Sequence, residues 1–406
     1  MDCAERIWTD RSLSPPLLVY CEEIIFQLLD AIGYAGRSVS AGRASVYFAV
    51  KSCYRPAVLR CLAALGVGAE VMSWNEFQLA RTAGFPDSRI LCNGLGRSPE
   101  LLDAAYRAGA RIVIDSLTDL QRVEELLDKG LGPARLGLRL KPDMSAFPGT
   151  AYASDRHKLG LREGSQEFAA VLERCTSNPL LRLDLLHVHA ASNQTDAELF
   201  VHLLDELAGS LRRIESTYPA IRIQSVDLGG GFAAFDVENL SAARDLFGRI
   251  ARHFNQLFGD RELIIEPGRY LIDSAAFVLA TVQAVKQDAG RCYMVTDAST
   301  NTLMPFKEAT YRLVHPQPDP EGRHRVAVVD GITSLTSIVI PEVRLQHLPA
   351  VGERVLLANC GAYTSALSKF WVYDPLPVAF LDRSGRMEID LHPDQIREAR
   401  RLILGI

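Results

Sequence analysis

The chain has no long apolar run, no close cysteine pair and no surplus of charge of one sign. Nowhere in its 406 residues do about 18 apolar residues follow one another, the least that a membrane-spanning helix needs. Its eight cysteines, at positions 3, 21, 53, 61, 92, 175, 292 and 360, include no CxxC pair. They lack the density of a disulfide scaffold and read as reduced, buried, small apolar residues. With 44 basic against 49 acidic residues the net charge is −5, which gives neither a basic footprint for nucleic acid nor a polybasic membrane patch. The opening Met-Asp-Cys-Ala-Glu-Arg has acids where a secretory leader would be basic, so a cytoplasmic location is expected. What remains is an ordinary globular composition, 48% hydrophobic and 23% charged, long enough for two domains and suited to small-molecule chemistry.

From about Val19 to Arg269 short apolar runs alternate with longer amphipathic ones, the pattern of βα units around a parallel sheet. Eight strands are predicted: Val46–Val50, Ala69–Val71, Ile90–Cys92, Ile112–Ile114, Leu136–Leu140, Leu183–His189, Ile223–Leu228 and Leu263–Glu266. Helical patterns such as Pro56–Leu65, Glu100–Ala108 and Ala197–Ile214 lie between them. Eight such units close a (β/α)8 barrel. After Arg269 the strand-like runs (Phe277–Val285, Tyr293–Val295, Arg325–Val329, Ser337–Val343, Arg354–Leu357, Pro377–Leu381) have no long helix between them, which predicts a separate all-β domain. The extended segment Pro16–Tyr20 is expected to cross over to it as a strand. The expected division is a barrel over 21–270 and a β domain made of 1–20 and 271–406.

The residues that carry chemistry fall at the C-terminal ends of the barrel strands, where such folds place their sites. Lys51 ends the first strand and offers an amine able to form a Schiff base, although most lysines after a strand are merely solvated. His187 and His189, two apart on one strand, face the same way into the barrel. They suit a shared metal less well than one imidazole stacked on a pyridine ring, and a hydrogen-bonded core histidine remains the plain alternative for His187. The triple glycine Gly229, Gly230 and Gly231 is either a sharp turn or a nest of bare N–H groups for a phosphate. Gly268 and Arg269 beside it favour the phosphate. Glu266, after the buried-type Leu263-Ile264-Ile265, is placed to keep a pyridine nitrogen protonated, the condition for an electron sink. With Gly361-Ala362-Tyr363-Thr364 these are parts for holding pyridoxal 5'-phosphate, and no metal is expected.

Together the motifs resemble the fold-type III pyridoxal-phosphate decarboxylases, the group of ornithine, arginine and diaminopimelate decarboxylases. Tyr47-Phe48-Ala49-Val50-Lys51 is similar to the family's Y-A-V-K, and Gly66 to Glu76 to its G-x-G-x-D-x-x-S-x-x-E. Asp115-Ser116, His157 to Gly160, Leu186 to Ser192, Asp227 to Gly231, Glu266 to Arg269 and Gly361 to Thr364 resemble D-S, S-K-F-G, L-H-x-H-x-G-S, D-x-G-G-G, E-P-G-R and G-A-Y-T. The resemblance implies that Lys51 is the Schiff-base lysine, His189 the ring-stacking imidazole and Glu266 the pyridinium partner. It makes Ser192, Gly229, Gly230, Gly231, Gly268, Arg269 and Tyr363 phosphate or cofactor contacts. It also implies a homodimer whose active sites are shared, each completed by the partner's loop.

Where the family has C-x-S in a proton-donating loop, Gly331 to Thr336 puts Ser334 in the cysteine's place. The acid that accompanies it gives way to Leu335 and Ile338, and the R-P-x-L-Y of diaminopimelate enzymes to Met304-Pro305-Phe306-Lys307. A pocket without that acid or that arginine leads to the expectation of a conjugated amino acid as substrate, such as the citryl-diaminopropionate of siderophore biosynthesis. The alternatives are diaminopimelate or a basic amino acid (ornithine, lysine, arginine), an amino-acid racemase, or a non-catalytic decarboxylase homologue.

Overall fold

The computed structural model describes residues 2–36, 43–148, 150, 157–299, 301–303, 310–331 and 338–405. By their contacts these form two compact units, one of residues 28–51 and 59–268 and one of residues 1–27, 52–58 and 269–406.

The first unit is a closed parallel barrel. After β1 (Leu17–Cys21), which belongs to the second unit, its staves are β2 (Ala44–Ala49), β3 (Gly68–Val71), β4 (Ile90–Cys92), β5 (Arg111–Ile114), β6 (Ala134–Arg139), β7 (Leu181–His187), β8 (Ser225–Asp227) and β9 (Glu262–Ile265), with β9 pairing back to β2. Five of the helices on this ring start on side-chain caps. Ser73, Ser98, Ser116, Ser165 and Asp196 each accept a first-turn N–H, so the serine of S-x-x-E and that of D-S are helix starts.

Tyr47, Leu91, Val113, Leu185 and Ile264, from β2, β4, β5, β7 and β9, form one buried apolar cluster. The strands between them make room. A Cβ on Gly68 of β3 would stand 2.6 Å from the Tyr47 ring, and one on Gly137 of β6 would stand 2.7 Å from Leu185 Cδ2. Missing side chains on β3 and β6 thus make room for large ones on neighbouring strands, as a filled barrel requires.

The second unit is built on a nine-stranded mixed sheet, as the β domain predicted after residue 270 requires. β10 (Ala276–Asp288) is its spine: it pairs antiparallel with β1 and β15 (Arg354–Ala358) at one end and with β11 (Arg291–Thr296) at the other. The sheet continues through β13 (His324–Asp330) and β14 (Ile338–Leu345) on one side and β16 (Val378–Leu381) and β17 (Met387–Leu391) on the other, while β12 (Arg312–His315) pairs with β15. Pro16–Tyr20 does cross over as expected: β1 lies between β10 and β16 with all five residues buried.

Gly137→Ala should overpack the barrel and cost about 1–3 kcal/mol, read as a lower urea midpoint. Adding Leu185→Val should recover part of that loss, because the clash is with the end of one flexible side chain.

Candidate active site

Lys51 lies just past β2, in a single 3-10 turn over Val50–Ser52. Its Nζ stands 3.7 Å from Glu70 Oε2 and 3.6 Å from Met72 Sδ. Its side chain is 37% exposed and that of Glu70 1%, so the amine reaches open space while the carboxyl it faces stays in the barrel. Met72 is fixed in turn: its backbone N–H donates to Glu76 Oε2 at 2.6 Å. Burial pushes the Glu70 carboxyl up to about 8 against the Lys51 charge, which pulls it down. A group of that acidity beside an amine can take or give a proton near neutral pH.

Glu266 follows β9 and is buried, with His187 Nε2 3.7 Å from its Oε2 and Asn93 Nδ2 3.5 Å from its Oε1. Burial raises its carboxyl, and the Lys51 charge is the largest of the influences that hold it down. The three-group cluster around His187 is completed by Asp227 and Glu266, one polar atom from each within 4.8 Å, rather than by His189.

His189 lies two residues beyond β7, and its Nδ1 accepts the Gly230 N–H at 3.1 Å. Burial first, then the charge of Lys51, holds its imidazole well below the usual range, so the ring is neutral and its orientation fixed. His187 is neutral for the same first reason, with Arg139 adding to it. Arg139 is paired with Asp115 at 3.3 Å, and the other Asp115 oxygen accepts the Gly160 N–H at 2.6 Å.

The three glycines are a close-packing device in their own right. Added Cβ atoms at Gly229, Gly230 and Gly231 would fall 2.7, 2.5 and 2.4 Å from the carbonyl oxygens of Val188, Glu266 and Ala191. Gly229 and Gly231 also have positive φ. The Gly229 N–H donates to Asp227 Oδ1 at 2.8 Å and the Gly230 N–H to His189. These two donors hold the site's own side chains in place. Ser192 is exposed, with its carbonyl bonded to Gln194 Nε2, and Gly268 is the last residue of the barrel unit.

Arg269 and Tyr363 belong to the second unit and meet there: the guanidinium sits over the Tyr363 ring at 5.4 Å and 3.7 Å from Asp273. Asp273, pushed up to about 6 by burial, accepts the Ala362 N–H. Tyr363 holds a left-handed backbone (φ 62°), and its N–H donates to the Ser52 carbonyl at 2.7 Å. Ser334, Leu335 and the Met304–Lys307 stretch lie outside the described residues. Ile338 opens β14 and is exposed.

Asn93, Arg139 and Asp227 join the site without having been singled out for a role, as does Glu70. Each carried a signal: Arg139 is a charge in the buried run Leu136–Leu140, Asn93 follows the apolar Ile90–Cys92, and Asp227 and Glu70 end or lie within strands. The residues fit a pyridoxal phosphate. They provide an accessible amine, a buried carboxylate able to face a ring nitrogen, a neutral imidazole with a fixed plane, and a turn stripped of side chains.

The raised Glu70 carboxyl makes stability depend on pH. The folded protein keeps a proton that the unfolded chain gives up above its ordinary value of 4.5, so this contribution is complete below pH 4.5 and is lost as pH climbs to about 8. Glu70→Gln should remove that slope, at most about 1.4 kcal/mol per pH unit, from a plot of unfolding free energy against pH for the cofactor-free protein.

Residues 34–273 match the family described as pyridoxal-dependent decarboxylase, pyridoxal binding domain. The diaminopimelate decarboxylase of Aquifex aeolicus is 25% identical over 389 residues, covering 93% of this chain and 89% of that protein. The L-glutamyl-[BtrI acyl-carrier protein] decarboxylase of Niallia circulans is 27% identical over 348 residues, 80% of this chain and 79% of that one. Among solved structures, the diaminopimelate decarboxylase of M. jannaschii superposes with a TM-score of 0.86 at 21% identity, covering 96% of this chain and 92% of that one. With most of its barrel matched and its fold shared from end to end, the chain belongs to the pyridoxal-dependent decarboxylases, the family of the ornithine, arginine and diaminopimelate enzymes.

Proposed function

We infer that the chain releases CO2 from the α-carbon of an amino acid whose amine takes the place of Lys51, with diaminopimelate as the leading substrate. The observation that carries the chemistry is the electrostatic pairing of Lys51 with buried Glu70 and Glu266 inside one barrel. When bound, pyridoxal phosphate supplies an electron-withdrawing ring for the electron pair left at Cα. The chain supplies the rest. Lys51 is the exchangeable nucleophile, and Glu70 holds or yields a proton beside it. Glu266 keeps a proton at the ring nitrogen. His189, neutral and pinned by the Gly230 N–H, offers a flat face to stack against. Ser192, the three glycines and Gly268 are the proposed phosphate contacts on the barrel, and the E-P-G-R and G-A-Y-T motifs propose Arg269 and Tyr363 for the same role.

Diaminopimelate is favoured by the relatives, among them the Aquifex aeolicus and Methanothermobacter thermautotrophicus enzymes. A conjugated amino acid such as citryl-diaminopropionate is the second reading. It is favoured by Leu335 and Ile338 in place of the acid, by Met304-Pro305-Phe306-Lys307 in place of the arginine motif, and by the Niallia circulans relative, which acts on a glutamyl group carried on a protein. A homodimer with shared sites, its Ser334 loop reaching the partner's site, is proposed with either substrate.

CO2 release by the cofactor-loaded protein should separate the readings when diaminopimelate, citryl-diaminopropionate, lysine, ornithine and arginine are supplied one at a time. Diaminopimelate as the best substrate supports the first reading, release from the conjugate alone replaces it with the second, and release from none of the five refutes both. Lys51→Ala should lower kcat by about 10³-fold or more and abolish the visible absorbance of the lysine-bound cofactor. Mixing inactive Lys51→Ala with inactive Ser334→Ala should restore part of the activity if sites are shared, since one site in a mixed dimer is then intact. No recovery in a mixture shown to exchange subunits would refute sharing.

A further inference from the structure

We propose that Asp227 enters the site as a protonated carboxyl that donates to Glu266, and that it is thereby the positioning residue which keeps Glu266 an anion facing the ring nitrogen of the cofactor. The proposal rests on the reading of Glu266 as the ring-nitrogen partner, and it adds a residue and a proton to which nothing else assigns a role.

Asp227 ends β8, Glu266 directly follows β9, and those strands are paired in register at Asp227 and Ile264. Both side chains are buried, at 0% and 3% exposure. Asp227 Oδ1 is occupied by the Gly229 N–H at 2.8 Å, while Oδ2 is buried with no donor among the described residues. An oxygen of each carboxyl lies within 4.8 Å of the other, and two carboxylates at that separation in a dry interior cannot both be ionised cheaply; a proton between them satisfies the orphan oxygen and removes the repulsion together.

Neighbouring donors do not remove the need for that proton. Asn93 Oδ1 accepts the Gly94 N–H at 2.8 Å, which turns the Asn93 amide nitrogen toward His187 Nε2 at 3.2 Å and Glu266 Oε1 at 3.5 Å. The Asn93 amide so turned makes His187 Nε2 an acceptor and places the imidazole proton on Nδ1, away from Glu266, at an atom with no hydrogen-bond partner among the described residues. His187 cannot donate to the carboxylate 3.7 Å from it.

Which of the two acids holds the proton follows from their surroundings. Among the described residues the charged and titratable groups around the pair are Lys51, Glu70, Arg139, His187 and Tyr47. Burial and the Glu266 charge push Asp227 well up, while Lys51, the hydrogen bond from Asp227 and Arg139 all hold Glu266 down. The proton stays on Asp227 and the negative charge on Glu266. The effect at the cofactor is a matter of where one further proton sits. A Glu266 anion stabilised from behind is a weak competitor for the ring-nitrogen proton. A Glu266 without that hydrogen bond takes the proton back and leaves the ring neutral. No proton is gained or lost overall by this arrangement.

The test uses the holoprotein loaded with pyridoxal phosphate carrying nitrogen-15 in its ring, whose chemical shift reports whether that nitrogen is protonated. Wild type should show a protonated ring nitrogen. Asp227→Asn should show the same, because an amide can donate to Glu266 and still accept the Gly229 N–H. Asp227→Ala and Glu266→Gln should both move the resonance to the unprotonated position. An unmoved resonance in Asp227→Ala, with Glu266→Gln shifted, overturns the proposal and leaves the reading of Glu266 standing. An unmoved resonance in Glu266→Gln overturns both. An Asp227→Asn that behaves like Asp227→Ala also overturns the donor role. Should Asp227→Ala fail to fold, infrared difference spectra of wild type against Asp227→Asn at about pH 9, above the Glu70 transition near 8, should show loss of one protonated-carboxyl band. Superimposable spectra refute the proposal.

Discussion

Charge inside a closed barrel is the constraint on which the rest of the site depends. Glu70, Asp115, Arg139, His187, Asp227 and Glu266 are all buried, and the low-dielectric interior makes each unpaired charge expensive. The chain meets this in three ways. Arg139 is matched to Asp115, Lys51 reaches back to Glu70 from a more open position, and the histidines remain neutral. Pairing of this kind fixes directions as well as energies, because each partner has a limited number of donors and acceptors to offer. The side chains that a cofactor would meet are therefore already oriented by protein groups.

The glycine turn after β8 shows how backbone and side chains share this task. Its residues pass so close to the carbonyls of Val188, Ala191 and Glu266 that no side chain fits. That closeness lets the Gly229 and Gly230 N–H groups reach Asp227 and His189. A motif read as a phosphate nest also aligns the imidazole and the acid pair. The left-handed Tyr363 in the second unit is a comparable case, an L residue held in a rare conformation next to a cation–π contact with Arg269.

Much of the fold is legible from residue pattern. The eight barrel strands fall within a few residues of the expected positions, since β-branched runs buried on both faces differ sharply from the amphipathic helices between them. Errors gather at strand ends. Lys51 and His189, read as strand termini, each lie two residues beyond β2 and β7, where the ladder has already stopped. Elements with weak patterns were not foreseen: Arg312–His315 and Met387–Leu391 each carry two charged or polar residues in a short run, the helix Cys3–Thr9 is only seven residues long, and the helix Pro393–Leu404 buries only Ile396.

The sequence by itself determined the barrel, the β-rich second unit with its crossing N-terminal strand, and the chemical types gathered at the strand ends. Period, turn residues and motif spacing are local properties that survive in a string of letters. Only the tertiary structure decided which acid faces which base. The partnerships of Glu70 with Lys51, Asn93 with His187 and Asp227 with Glu266 join residues from different strands, 19, 94 and 39 positions apart in the chain. Their protonation depends on burial and on the sum of surrounding charges, quantities that exist only once the barrel has closed.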